Sequence, residues 1–427
     1  MLSHCVMKTG FKRLKKFSTK HYDRMTRRIL FVSIAFPPKG DPECIQTARY
    51  SYYLSLHQEF VVDVVTSKSP TLFMPLDAAL AKYINVSGQV IEIPLYESKY
   101  TNFALRKFFP GLLSKPDSKM TFHWQWKKVI KSLKVKPDII YSRSYPLSSA
   151  IMALKLSRFY KIPWVLHLSD PWTENALHVY SDAELVYHTR MEKACFEQAS
   201  LISFTSEKMA SMYQQKYPAW KNKMTVFPNV YDPQLAAGAT VKRSSDVVKI
   251  VYTGGLANTR TAQSFLAALD LMIKKSPHLV TALHVVFAGD MDRRNNELFK
   301  RYKFPFLEHF GLVSTDTAKQ LQEEADILVV IDSKIPDANK AVFFPSKLLD
   351  YAILQKPIVA ITDKGSVTEG FVVGQGGASF SHDAVEDLAD WLSMYIEGKI
   401  KLSMKEIDTY FSAPKQASRL AQVFKNI

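Results

Sequence analysis

Short continuous apolar runs alternate along this chain with longer segments whose apolar residues recur every three or four positions. The first run, Arg28 to Ala35, has no polar alternation, as in a parallel strand buried on both faces. Similar runs follow at Phe60 to Val65, Gln89 to Ile93, Asp138 to Ser142, Trp164 to Leu168, Leu201 to Thr205 and Met224 to Phe227. A second series comprises Val247 to Tyr252, Leu283 to Ala288, Ile327 to Ile331 and Ile358 to Ile361. Helical spacing fills most intervals. Strands alternating with helices predict an α/β fold with parallel sheets.

At 427 residues the chain exceeds one ordinary core. The small, polar, unpatterned stretch 236–246 reads as a linker. The expected organisation is a basic, disordered leader over 1–27, a first domain over 28–235, the linker, a second domain over 247–412 and a terminal helix over 413–427 packing back on the first domain. Residues 67–88 and 95–120, with their Pro and Ser content, read as loop-rich insertions. Ligands of paired parallel sheets bind beyond the strand C-termini, so the two domains are expected to face a central cleft.

The net charge is +16, and part of it lies near the N-terminus at Lys12, Arg13, Lys15, Lys16, Lys20, Arg24, Arg27 and Arg28. Such a cluster attracts anionic lipid at roughly 1 kcal/mol per basic residue near the surface. No zinc finger, RNP signature or helix-turn-helix pattern accompanies it, so nucleic acid is not an expected partner. Cys5, Cys44 and Cys195 lie far apart, which argues for a reducing compartment and against a disulfide framework. With neither a secretory signal nor a membrane-length apolar run, the expected address is cytoplasmic, with peripheral contact at the inner face of the membrane.

Candidate chemistry gathers at strand ends. Phe36-Pro37-Pro38-Lys39-Gly40 follows the first strand, and Gly40 permits close approach. Tyr252-Thr253-Gly254-Gly255 opens the second domain, with Arg260 a few residues on. Glycine turns bring backbone N–H groups to a phosphate, and an arginine pairs with it in a bidentate manner. Leu166-His167-Leu168-Ser169-Asp170-Pro171-Trp172 places His167 and Asp170 near a sheet edge, within reach of a sugar. In Phe344-Pro345-Ser346-Lys347-Leu348-Leu349-Asp350, Pro345 can open a helix whose first turn carries Lys347 and Asp350. Cation to phosphate and carboxylate to ribose would suit a nucleoside diphosphate. No complete G-x-G-x-x-G or Walker loop stands here. Asp290-Met291-Asp292 sits at an ordinary acidic turn and is not read as a metal site.

Together with Phe227-Pro228-Asn229-Val230-Tyr231-Asp232 and Phe287-Ala288-Gly289-Asp290, these motifs resemble the retaining GT-B glycosyltransferases of family 4, particularly bacterial polysaccharide-building members. The resemblance runs from about residue 28 to 412 and implies two Rossmann-like domains around a cleft. It implies His167 and Asp170 at the reacting sugar. It also implies Gly40, Thr253, Gly254, Gly255, Arg260, Ser346, Lys347 and Asp350 around the donor. Asp350 stands where the family carries a ribose-binding glutamate, and Val342 where it carries another. The implied reaction is sugar transfer from a nucleotide diphosphate sugar to a glycan or lipid-linked acceptor, with no cofactor and no metal. The alternatives are a nucleotide-sugar epimerase of the same layout and a catalytically silent scaffold.

Overall fold

The computed structural model describes residues 26–427 apart from 70, 72, 73, 110 and 236–246. The leader before residue 26 and the linker expected over 236–246 lie outside the described residues.

The first unit is a seven-stranded, all-parallel sheet in the order β3-β2-β1-β4-β5-β6-β7. Its strands are β1 (Arg27–Val32), β2 (Phe60–Ser67), β3 (Val90–Ile93), β4 (Ile139–Ser144), β5 (Trp164–Leu168), β6 (Leu201–Phe204) and β7 (Met224–Val226). The second unit is a six-stranded sheet ordered β10-β9-β8-β11-β12-β13. It comprises β8 (Val248–Thr253), β9 (Leu283–Ala288), β10 (Leu307–His309), β11 (Ile327–Ile331), β12 (Ile358–Ile361) and β13 (Ala378–Phe380). In each sheet the order reverses beside the first strand, between β1 and β4 and between β8 and β11. Ligands of open α/β sheets bind at such switch points.

The apolar runs anticipate the central strands closely, because every side chain of β5, β11 and β12 is buried between helices. Two strands escape that reading. Leu307–His309 and Ala378–Phe380 are three-residue edge strands with no continuous apolar run. They are recruited by pairing with β9 and β12.

Three local expectations change. Arg27 and Arg28 belong to β1 and not to a basic leader. Arg28 pairs with the buried Asp63 at 2.8 Å, and Arg27 donates to the Phe424 carbonyl. The 67–88 insertion contains a 3-10 helix, Ala78–Ile84, capped by Asp77 and anchored by buried Leu80 and Tyr83. The 95–120 insertion contains the helix Lys99–Phe108, opened by a Ser98/Thr101 capping box. Pro and Ser mark the ends of these helices and so disguise them in the sequence.

The chain returns to the first unit at its end. Tyr231 and Ser412 form a parallel bridge, and the helix Ala413–Asn426 buries Ala417, Leu420 and Phe424 among Ile29, Tyr50, Phe60 and Tyr141. The two units also meet directly. Asn229 donates to the Phe344 carbonyl at 2.8 Å, and Ser206 to that of Val342 at 3.0 Å.

Candidate functional site

A cavity of about 580 Å³ opens between the two sheets. Its walls come from the segments just past strand C-termini: Asp41 to Gln46 after β1, Tyr145 after β4, Ser169 and Asp170 after β5, Arg260 after β8, Asp332 after β11 and Asp363 after β12. Phe343 to Lys347 complete the second unit's side.

The second unit contributes two cations. Lys347 opens the short helix Lys347–Ala352, and its Nζ donates to the Thr253 carbonyl at 2.6 Å while lying 4.5 Å from the centre of the Tyr252 ring. Burial lowers the Lys347 pKa to about 7, and the charge of Arg260 pushes the same way against Asp332. Arg260 has its Nε buried without a hydrogen-bond partner. Two cations are thus held close enough to repel one another, with donor capacity to spare. That arrangement suits an anion.

Glycines make room for this. Gly254 has φ +133°, and a Cβ there would fall 2.2 Å from Lys347 Nζ. Gly289 has φ +147°, and a Cβ there would fall 2.1 Å from the Gly254 carbonyl oxygen. The turns after β8 and β9 therefore nest backbone against backbone beneath the lysine.

The first unit contributes carboxylates. Glu43 lies in the first turn of the helix Pro42–Ser55, capped by Asp41, and receives Arg143 Nε at 2.9 Å. Arg143 is completely buried, stacks on Tyr50 and donates weakly to Ser169 Oγ at 3.4 Å. Burial raises the Glu43 pKa, and Arg143 opposes the rise. Asp170 has its pKa raised to about 6, first by burial and then by the neighbouring Glu43, with Arg260 opposing. Acid groups thus face basic ones across one cavity. Among the described residues, no group of three His, Cys, Asp or Glu side chains is arranged to hold a metal ion.

Residues 62–235 match the sequence profile of Glycosyltransferase Family 4. Over that stretch, less than half of the chain, the sequence is similar to this family. Solved structures agree on the two-sheet GT-B fold. Anabaena Alr3699/HepE, crystallised with UDP and glucose, superposes with a TM-score of 0.63 at 14% identity, covering 94% of this chain and 100% of that one. Sucrose-phosphate synthase from Thermosynechococcus elongatus gives a TM-score of 0.67 at 14% identity, covering 94% and 98%. The lipopolysaccharide outer core galactosyltransferase WaaB, in its apo form, gives 0.56 at 13%, covering 94% and 100%. No curated protein sequence matches at a significant level.

The cavity gathers Asp170, Arg260, Ser346 and Lys347 from the residues singled out in the sequence. The others stand behind its wall. His167 lies inside β5, completely buried, with Nδ1 3.0 Å from Ser203 Oγ and its ring beside Tyr141. It does not line the cavity, because alternation along the strand turns it into the sheet's packing layer. Its pKa is pushed well down by burial and by Arg143, so the ring is neutral. Gly40 is also set back: its N–H donates to the Pro75 carbonyl at 2.7 Å, and a Cβ there would meet Asp77 Cβ at 2.5 Å. Thr253 Oγ1 bonds Tyr351 and Gln322, each at 2.8 Å, while Gly254 and Gly255 shape the turn beneath Lys347.

Asp350 departs most from expectation. Its carboxylate is taken by Arg49 at 2.9 Å and does not line the cavity. Glu43, Asp332, Asp363 and Asn229, which do line it, were not candidates in the sequence. An acid one residue past a helix-opening Pro was the available signal for Glu43. The two aspartates directly follow or closely trail buried strands, which was theirs.

Proposed function

We propose that this protein transfers a sugar, with retention, from a nucleoside diphosphate sugar to a glycan or lipid-linked acceptor in the assembly of a surface polysaccharide such as O-antigen, capsule or exopolysaccharide. The observation that carries this reading is the pairing of Arg260 and Lys347 on the second unit's side of the cavity, where the charge of one opposes protonation of the other. A diphosphate between them relieves their repulsion, and it stabilises the leaving group as charge develops. Asp170 and Glu43, on the facing wall, accept hydrogen bonds from sugar hydroxyls. Retention follows from attack on the face the diphosphate leaves, with the departing phosphate taking the acceptor proton. Closure of the two units excludes water as a competing acceptor. No metal is assigned a part, because the side-chain cations supply the positive charge.

UDP is the first nucleotide to test, since Anabaena Alr3699/HepE, of the same fold, was crystallised with it. Calorimetric titration with UDP, GDP, ADP and CMP, with and without magnesium, tests the reading. Tight binding of one diphosphate without magnesium supports it. Binding of none favours the silent scaffold, for which Val342 speaks: it is wholly buried with the first unit's core and has no side-chain hydrogen-bonding group for a sugar. Among the described residues no helix is long and apolar enough to cross a membrane. The lipid contact in this reading is peripheral, on the cytoplasmic side, through the basic residues of 12–28 other than Arg27 and Arg28, which the fold engages.

A further inference from the structure

Among the described side chains of the helix Lys99–Phe108 none is deeply buried. Tyr100, Phe103 and Phe108 are 88%, 69% and 67% exposed, and their spacing puts them along one side of the helix. Tyr96 before the helix and Phe109 at its end are 70% and 61% exposed. Soluble proteins scatter single apolar residues over the surface but seldom array aromatics in one strip.

The strip has a neighbour. Ser114 Oγ bonds Glu184, and His188 Nε2 lies 2.6 Å from the Ser114 carbonyl oxygen, so the segment after the helix is fastened to the helix Asp182–Gln198. At the start of that helix Val179 and Val186 are 91% and 72% exposed. The apolar surface therefore continues across two segments of the first unit.

Charge decides what covers it. Lys99 and Lys107 are exposed on the aromatic helix itself, and Lys107 Nζ lies 5.6 Å from the centre of the Phe108 ring. On the other side, the 94–97 segment is bonded to residues 121–125 through Tyr96 N to Thr121 Oγ1 and Gln125 Nε2 to the Pro94 carbonyl. The next helix, Trp126–Ser132, exposes Lys127, Lys128 and Lys131. Over residues 96–136 the sequence holds ten Lys or Arg against two Asp or Glu. Aromatic side chains flanked by lysines match the interface of an anionic bilayer, where rings sit at headgroup depth and ammonium groups meet lipid phosphates. A second copy of the chain would bring the same positive charge to the contact and be repelled.

We propose that this aromatic-and-lysine face, centred on Lys99–Phe108, docks the protein on an anionic lipid surface. It is separate in sequence from the basic residues near the N-terminus. It does not depend on which nucleotide the cavity takes.

The test uses the full chain and sedimentation with vesicles of phosphatidylcholine alone or with phosphatidylglycerol. The variant is Tyr100→Ser, Phe103→Ser and Phe108→Ser together, all exposed in the fold. The wild type is expected to partition onto the phosphatidylglycerol vesicles, more weakly at high salt, and the triple variant at least tenfold less. Its melting temperature and its nucleotide titration are expected to match the wild type, which separates loss of docking from loss of fold or of the donor site. A second variant, Lys99→Glu with Lys107→Glu, should weaken binding to anionic vesicles alone. Three results would overturn the proposal: equal partitioning by the triple variant, no partitioning by the wild type, or a wild-type dimer in sedimentation velocity that the triple substitution abolishes.

Discussion

Arg49 and Asp350 form an ion pair of 2.9 Å that joins the two units, and the arginine is only 3% exposed. Arg49 also donates to the Val230 carbonyl at 2.6 Å, at the segment where the chain leaves the first sheet. A single side chain thus holds both the second unit's helix Lys347–Ala352 and the segment after the first unit's last strand.

Removing one partner of a buried pair leaves the other charge unsatisfied, which typically costs 3–5 kcal/mol. Asp350 is 27% exposed, so Asp350→Ala is expected at or below the lower end of that range, about 2 kcal/mol. Urea unfolding followed by fluorescence reads it. Nucleotide affinity that falls while stability is unchanged would return Asp350 to the ribose.

Lys347 is held near a pKa of 7 in the free protein by burial and by Arg260. A bound diphosphate favours the charged lysine and raises that pKa. Binding at pH 8 should therefore take up close to one proton, and binding at pH 6 almost none. Affinity should fall as pH rises through 7. Titration in buffers of different ionisation enthalpy measures the uptake directly. Lys347→Met should lower affinity by about tenfold to a hundredfold, as expected for a charge-assisted contact of about 1.5–3 kcal/mol, and abolish the uptake.

Asp170 has a folded pKa of about 6, above its unfolded value. The folded protein therefore binds more protons than the unfolded chain between roughly pH 4 and 6, and stability declines as pH rises through that window. At pH 8 the buried charge costs on the order of 3 kcal/mol. Asp170→Asn should recover much of that at pH 8 and little at pH 4, as read by urea unfolding at both pH values. If ionised Asp170 accepts from the sugar, kcat/KM is expected to rise between pH 5 and 7 in the wild type and not in Asp170→Asn.

Gly289→Ala forces a Cβ onto the Gly254 backbone, which has nowhere to go. A loss above 3 kcal/mol is expected, on the order of the largest single-residue effects. Gly254→Ala instead meets the end of a flexible lysine. It should cost less stability and displace Lys347, weakening nucleotide binding. Equal stability losses in the two would contradict the nested turns.

His167→Ala removes a wholly buried ring and leaves Ser203 Oγ without its 3.0 Å partner. Destabilisation of about 2–3 kcal/mol is expected from the cavity and the lost bond. A large fall in kcat in a variant of wild-type stability would restore the ring to the reaction.

The sequence by itself determined the central strands, their parallel pairing and the two-unit order, but not the edge strands Leu307–His309 and Ala378–Phe380. Buried parallel strands need unbroken apolar runs, and Trp164–Leu168 or Ile327–Ile331 admit little else. It also singled out Asp170 and Arg260 after strands and Ser346 and Lys347 at a helix start, and all four line the cavity. Tertiary structure decided the rest. Which way His167 turns depends on strand register, and a shift of one residue exchanges the faces. What Asp350 meets depends on Arg49, some three hundred residues earlier, and Glu43 reaches the site only because Arg143 holds it there. Short motifs report local geometry; the partner that claims a carboxylate is fixed by how the two units close on each other.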